Sequence, residues 1–202
     1  MRLKELAERA DTSPASIKYY LREGLLRPGR RVNATLAEYD EGHLRRLDLI
    51  SALRRVVGAS IDDIRALVAD IDDPERSLYD VLGRAQMIGL GMPPASSAGD
   101  EPESVTRLLE HRGWGTAIQV RGHLAEQVRL MTALGIEVRP ERLEAYADAA
   151  ASVADLDIDA VATATSRDEA AMRVAVGVHT YSRLFLRMLA VAQAGRADEL
   201  LG

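Results

Sequence analysis

The stretch SPASIKYYLREGLL, residues 13–26, decides how this chain is read. A serine hydroxyl at position 13 can accept an unpaired amide of a first helical turn, and Pro14 has no N–H to leave unpaired there, so the pair predicts a helix start. Ile17, Tyr20 and Leu21 then follow the i, i+3, i+4 spacing of one buried face, which leaves Ala15, Ser16, Lys18, Tyr19 and Arg22 outside or at the flank. Gly24 stops the helix. Upstream, Leu3, Leu6 and Ala7 mark the apolar face of another short helix, separated from the second by residues 10–13. Two short helices across a tight turn can place the second in a DNA major groove, where small residues permit close approach while Lys18 and Tyr19 reach bases or phosphates. Two packed helices with a solvated lysine would show the same spacing, so this pattern alone leaves both readings open.

Working outward, RRVNATLAEY at 30–39 reads as a short hairpin with its tip near Asn33 or Ala34, and helices are expected at 40–54, 60–70 and 75–88. In this order the segments RLKELAERADTSPASIKYYLREGLL, RPGRRVNATLAEYDE and HLRRLDLISALRRVVGASIDDIRALV resemble the MerR family of transcriptional regulators over residues 1–71. Ile17, Tyr19 and Tyr20 fall on the recognition-helix motif, Gly24, Leu25 and Leu26 on the turn after it, and Tyr39 on the tyrosine that closes the wing. The resemblance implies operator DNA binding by a homodimer, with RNA polymerase as a further partner and a winged helix-turn-helix as the fold. On it, Ser13, Ala15, Ser16, Lys18, Tyr19, Arg22, Arg30, Arg31 and Tyr39 are the candidate DNA-binding residues. The chain departs from the family pattern in four places. Lys18 replaces the motif arginine and lacks its planar fork; Ala37 stands where the wing usually has an arginine; Asp11 replaces the turn glycine; and Asp72, Asp73 and Pro74 interrupt the chain where a long dimer helix commonly begins.

The charge distribution agrees with a local nucleic-acid face. The 202 residues carry a net charge of -5, yet residues 1–36 hold eight Lys/Arg against four Asp/Glu, and residues 37–73 reverse this with five against nine. Screening confines the relevant field to about 10 Å, so the local excess counts for more than the total. The absence of cysteine excludes disulfides, thiolate metal sites and cysteine nucleophiles. No apolar run is long enough for a membrane span, and the charged N-terminus MRLKELAERAD does not read as a signal peptide, so a cytoplasmic protein is expected. Arginine dominance over lysine, with only Lys4 and Lys18, suggests a bacterial genome of high GC content.

The segment GLGMPPASSAGDEPE, 89–103, reads as a linker, giving an expected division into a DNA-binding domain at 1–73, a short helix and linker at 74–103, and an all-α domain at 104–202 for an effector, a dimer contact or both. Helices are expected there at 104–112, 116–134, 140–154 and 167–195. The last has an apolar stripe, Ala171, Val174, Val178, Tyr181, Phe185, Met188 and Ala192, and Val120, Leu124, Val128, Met131 and Leu134 offer a facing one; the product would be a helical bundle. This last helix faintly resembles the ligand-binding and dimerising helices of TetR-type regulators. Trp114, Met131, Tyr146, Tyr181 and Phe185 are the candidate wall of a small hydrophobic effector pocket, although an ordinary core tryptophan fits Trp114 as well. His123 and Glu126 stand one turn apart but do not make a metal site, and no cofactor is expected. No catalytic motif is visible, so the chain is read as not an enzyme. A helical-domain enzyme, or an interaction protein reusing the winged-helix scaffold, is the alternative.

Overall fold

The structure is a computed structural model that describes residues 1–33, 36–93, 100–114, 118–157 and 163–202. The expected hairpin tip at Ala34, the centre of the expected linker and the first residues of the helix expected from 116 lie outside the described residues. The elements run α1 (Leu3–Arg9), α2 (Pro14–Arg22), β1 (Arg30–Asn33), β2 (Leu36–Glu38), α3 (Glu41–Ala52), α4 (Ile61–Asp72), α5 (Leu78–Leu90), α6 (Glu103–Arg112), α7 (Ile118–Ala133), α8 (Pro140–Asp157) and α9 (Arg167–Leu201). The fold is mainly α, with one antiparallel hairpin after the first two helices.

Helix ends follow the local chemistry. Ser13 Oγ accepts the Ser16 amide at 3.0 Å, and Ser60 and Asp63 form a reciprocal capping box at the start of α4. Asp40 and His43 do the same for α3, which continues through a π turn, Leu53–Val57. Ser77 and Ser166 cap α5 and α9.

The chain divides into two compact units, Met1–Gly91 with Ala164–Gly202, and Met92–Thr163. This differs from the expected grouping of 104–202, because the first half of α9 packs on α3 and α5 within the first unit. One core cluster there joins Leu49, Ile50, Leu53, Ile64, Leu67 and Val81 to Ala171 and Ala175 of α9. The sealed residues of α9 are Ala170, Ala171, Ala175 and His179; of the expected stripe, Ala171 is among them and Val174 packs half-buried on the same core, while Tyr181, Phe185 and Met188 stay exposed. Backbone approach selects the sealed residues: a methyl group on Gly89 would lie 2.5 Å from the carbonyl oxygen of Ala175, so α5 and α9 meet glycine to alanine, and His179 Nδ1 bonds Gly89 O at 3.2 Å. A second cluster holds Leu6, Ala7, Ile17, Leu26, Tyr39 and Leu47 under the helix-turn-helix.

In the second unit, Val128 and Leu124 of α7 pack on Val105 and Leu109 of α6 with Trp114 at the edge. The expected facing stripe is therefore satisfied by α6, while Leu134 at its end stays exposed.

Candidate nucleic-acid interface

The turn between α1 and α2 is held by Asp11 at φ 44°, a left-handed conformation that an aspartate tolerates better than most side chains, and Arg55 bonds both its carboxylate and its carbonyl. Ile17 is fully buried, and Tyr20 bridges both core clusters of the unit, so one side of α2 is sealed. Truncating such an isoleucine costs about 2–5 kcal/mol, which ties the orientation of α2 to the core. At the far end, Glu23 accepts from Arg65 of α4 at 3.1 Å.

The other side of α2 carries the candidates. Ser13, Ala15, Lys18 and Arg22 are exposed, and Ser16 and Tyr19 are half-buried. Lys18 has no ion-pair or hydrogen-bond partner among the described residues. Tyr19 stands edge-on to Tyr20, with the Arg22 guanidinium 5.4 Å from its ring centre. A cation over an aromatic face is pre-oriented, which lowers the entropy lost when it meets a phosphate.

The wing stands beside α2. Its base is clamped twice: Arg27 donates to both oxygens of Asp40 at 2.9 and 2.7 Å, and the N-terminal ammonium donates to Tyr39 O at 2.8 Å while Tyr39 N donates back to Met1 O at 2.9 Å. Burial would raise the Asp40 carboxyl, but hydrogen bonds from His43 and Arg27 hold it well below the usual carboxylate range. In the ladder Arg30 faces Glu38 and Arg31 faces Ala37. Arg30 is therefore ion-paired to Glu38, and Arg31, exposed opposite an alanine, has no partner among the described residues. Tyr39 is buried at 9% exposure, packed edge-on to His43, so it supports the wing from inside instead of standing on the exposed face as its place among the DNA-binding candidates required. A residue between a strand end and a capping aspartate reads equally as in or out from sequence.

The geometry is thus a sealed helix-turn-helix with Ser16, Lys18, Tyr19 and Arg22 on its open side and Arg31 on the adjoining wing. The family described as MerR HTH family regulatory protein matches residues 1–71. Residues 1–71 are a MerR-type helix-turn-helix domain. HTH-type transcriptional regulator CueR from two Vibrio cholerae serotype O1 strains is similar, at 33% identity over 86 residues, covering 43% of this chain and 61% of the relative. The match therefore spans less than two thirds of those MerR relatives. A crystal structure of "the putative transcriptional regulator SCO5550 from Streptomyces coelicolor A3(2)" is similar over 100% of this chain and 98% of that one, with 30% identity and a TM-score of 0.72. The MerR domain here is thus followed by helices that have a counterpart in that solved structure.

The effector candidates are not brought together within either unit. Trp114 packs on the α6–α7 cluster, Met131 is half-buried on α7 and Tyr146 is exposed on α8, all in the second unit; Tyr181 and Phe185 are exposed on α9 in the first. His123 Nε2 is buried without a partner, and its ring stands 3.6 Å from Glu126. No group of three or more metal-binding side chains occurs among the described residues, and none of their helices is long and apolar enough to cross a membrane.

Sequence reasoning missed the ion cluster that fastens α9. Arg46 of α3, 8% exposed, donates through Nε to Asp168 of α9 and through Nη1 and Nη2 to Asp72 of α4, the latter at 3.1 and 2.5 Å. Burial alone would lower the Arg46 pKa; the hydrogen bonds to Asp72 and Asp168 reverse this and raise it above the ordinary arginine value. Asp168 lies 122 residues from Arg46, so no local pattern could have found it.

Proposed function

We propose that the chain is a transcriptional regulator that binds operator duplex DNA as a homodimer and responds to a small organic effector. The observation that carries this reading is the open side of α2: a capped helix sealed on one face by Ile17 presents a half-buried Tyr19 and an unpartnered Lys18 on the other, beside a wing whose Arg31 is also uncommitted. In a major groove, Ala15 and Ser16 let the helix approach, Lys18 and Tyr19 meet bases or phosphates, and Arg22 and Arg31 hold backbone phosphates. Arg30, already paired with Glu38, contributes less than Arg31.

The dimer is supported by α9. Beyond Thr180 it carries Tyr181, Leu184, Leu186, Met188 and Val191, each at least half exposed. A helix that is apolar nearly all round is one that another helix covers. Antiparallel pairing of two copies across Val191 and Ala192 brings Arg183 of one toward Asp198 and Glu199 of the other, and Gly195 allows close approach. The long helix at the end of the chain thus takes the place of the one that Pro74 interrupts after α4. RNA polymerase recruited or blocked at the bound promoter would be the output.

A gel-shift and footprinting series on the DNA upstream of the chain's own coding sequence tests this. The expected result is one protected, two-fold symmetric site; uniform coating or no protection would overturn it.

A further inference from the structure

We propose that a cavity of about 310 Å³ in the first unit is the effector site and takes a small oxyanion, a carboxylate- or phosphate-bearing molecule. This rests on the regulator reading only for its consequence, not for the binding itself. The walls come from the segment Leu26 and Arg27 before the wing, the first turns of α3, the end of α4 and the start of α9. Four guanidinium groups line it, those of Arg27, Arg45, Arg46 and Arg167, against two carboxylates, Asp72 and Asp168.

Two of the four guanidinium groups keep donors free. Arg46 is spent on Asp72 and Asp168, a trio that keeps one net negative charge, which the positive charge of Arg167 in the same wall offsets. Arg167 is spent on the carbonyls of Ile71, Asp73 and Arg76, where it satisfies the end of α4. Arg27 commits only Nη2, to Asp40, which leaves its Nε and Nη1 available. Arg45 has no hydrogen bond or ion pair among the described residues. His43 is 3% exposed and lines the same cavity, and its Nε2 has no partner. His43 Nδ1 lies 2.7 Å from Asp40 Oδ1 and donates to that carboxylate, so Nε2 of the neutral ring is a buried acceptor that a hydroxyl on the occupant can meet. Guanidinium donors left over in a cavity call for an acceptor-rich occupant, and those of Arg27 and Arg45 are the surplus here. Leu26 and Ile71 supply apolar wall for its carbon skeleton.

The position gives the occupant a regulatory lever. It would touch the segment that leads into the wing and the first turn of α9 together, so a bound anion stabilises the docked arrangement of the two and couples to DNA affinity by linkage.

The test uses the full chain without DNA, titrated calorimetrically with inorganic phosphate and with succinate at constant ionic strength held by chloride. At least one probe should bind saturably and raise the melting temperature. Arg45→Ala, which removes an exposed side chain with no hydrogen bond or ion pair among the described residues, should leave the melt in chloride unchanged and weaken that binding at least tenfold. No saturable binding of either probe, or equal binding by Arg45→Ala, would overturn the proposal. Arg45→Ala weakening DNA binding while leaving probe binding intact would also overturn it, making Arg45 a DNA-backbone contact. Arg45-dependent probe binding with no sequence-selective DNA binding would uphold the site and refute the regulator reading instead.

Discussion

Arg46→Ala tests how α9 is held to the winged-helix unit. The substitution leaves Asp168, whose side chain is 17% exposed, facing the vacated site without its cation, and it frees Asp72, whose side chain is 58% exposed. Breaking a buried pair by removing one partner costs about 3–5 kcal/mol. Asp72 is largely solvated once released, so most of the loss comes from Asp168, and the expected cost is nearer about 2–3 kcal/mol. For a domain of this size that corresponds to a fall in Tm of about 4–12 °C. Urea unfolding followed by far-UV circular dichroism measures it, with Asp168→Asn and the double variant completing a cycle. The Arg46–Asp168 coupling should exceed about 1 kcal/mol, as expected for residues in direct contact. Effects of the two single changes that add to within about 0.5 kcal/mol would refute the reasoning, because uncoupled residues cannot be the fastening.

Three further outcomes follow from the same geometry. Gly89→Ala should destabilise the chain by about 1–3 kcal/mol, since its methyl group would press on the Ala175 carbonyl, whereas Gly177→Ala on α9, where nothing lies within 4 Å, should be neutral or stabilising by about 0.5–1 kcal/mol; equal thermal shifts for the two would contradict the close α5–α9 approach. Val191→Glu should convert a dimer to a monomer with helicity kept, read by light scattering after gel filtration, and a wild-type chain that is already monomeric at micromolar concentration would sink the α9 pairing. Acidification should lower Tm: hydrogen bonds hold the carboxyls of Asp40 (from His43, against burial), Glu41 (from Arg9), Glu101 (from Arg121), Glu144 (from His111) and Glu169 (from Thr165) below their ordinary values, so their stabilisation is complete above about pH 5 and is lost as pH falls below about 4. Asp48, raised by burial, acts in the opposite sense, and a Tm that rose between pH 5 and 3 would show that it dominates.

Much of this architecture is legible from local signals. Ser13 and Pro14 mark the start of α2 and Gly24 its end, because caps and breakers act within a turn of themselves. Arg30 to Tyr39 reads as a hairpin because its β-branched residues lie between polar breaks. What sequence could not show is which surface covers which. The α9 stripe promises a partner helix without naming it; Gly89 makes that partner α5, through a backbone approach that hydrophobic periodicity cannot register. Tyr39 is ambiguous for a related reason, since a tyrosine at the wing's end is apolar enough for the core and polar enough for DNA. The oxyanion cavity draws on Arg27, His43 and Arg45, which look like ordinary helix and loop charges until the partners of Arg46 and Arg167 are known.

The most direct measurement of the central claim is the salt dependence of binding to the protected upstream site, compared between wild type and Lys18→Ala by fluorescence anisotropy. If Lys18 contacts a phosphate, the log-log salt slope should become shallower by about 0.9 in the variant, with its melting temperature unchanged. Identical slopes and affinities for the two proteins would mean that the open face of α2 does not meet DNA.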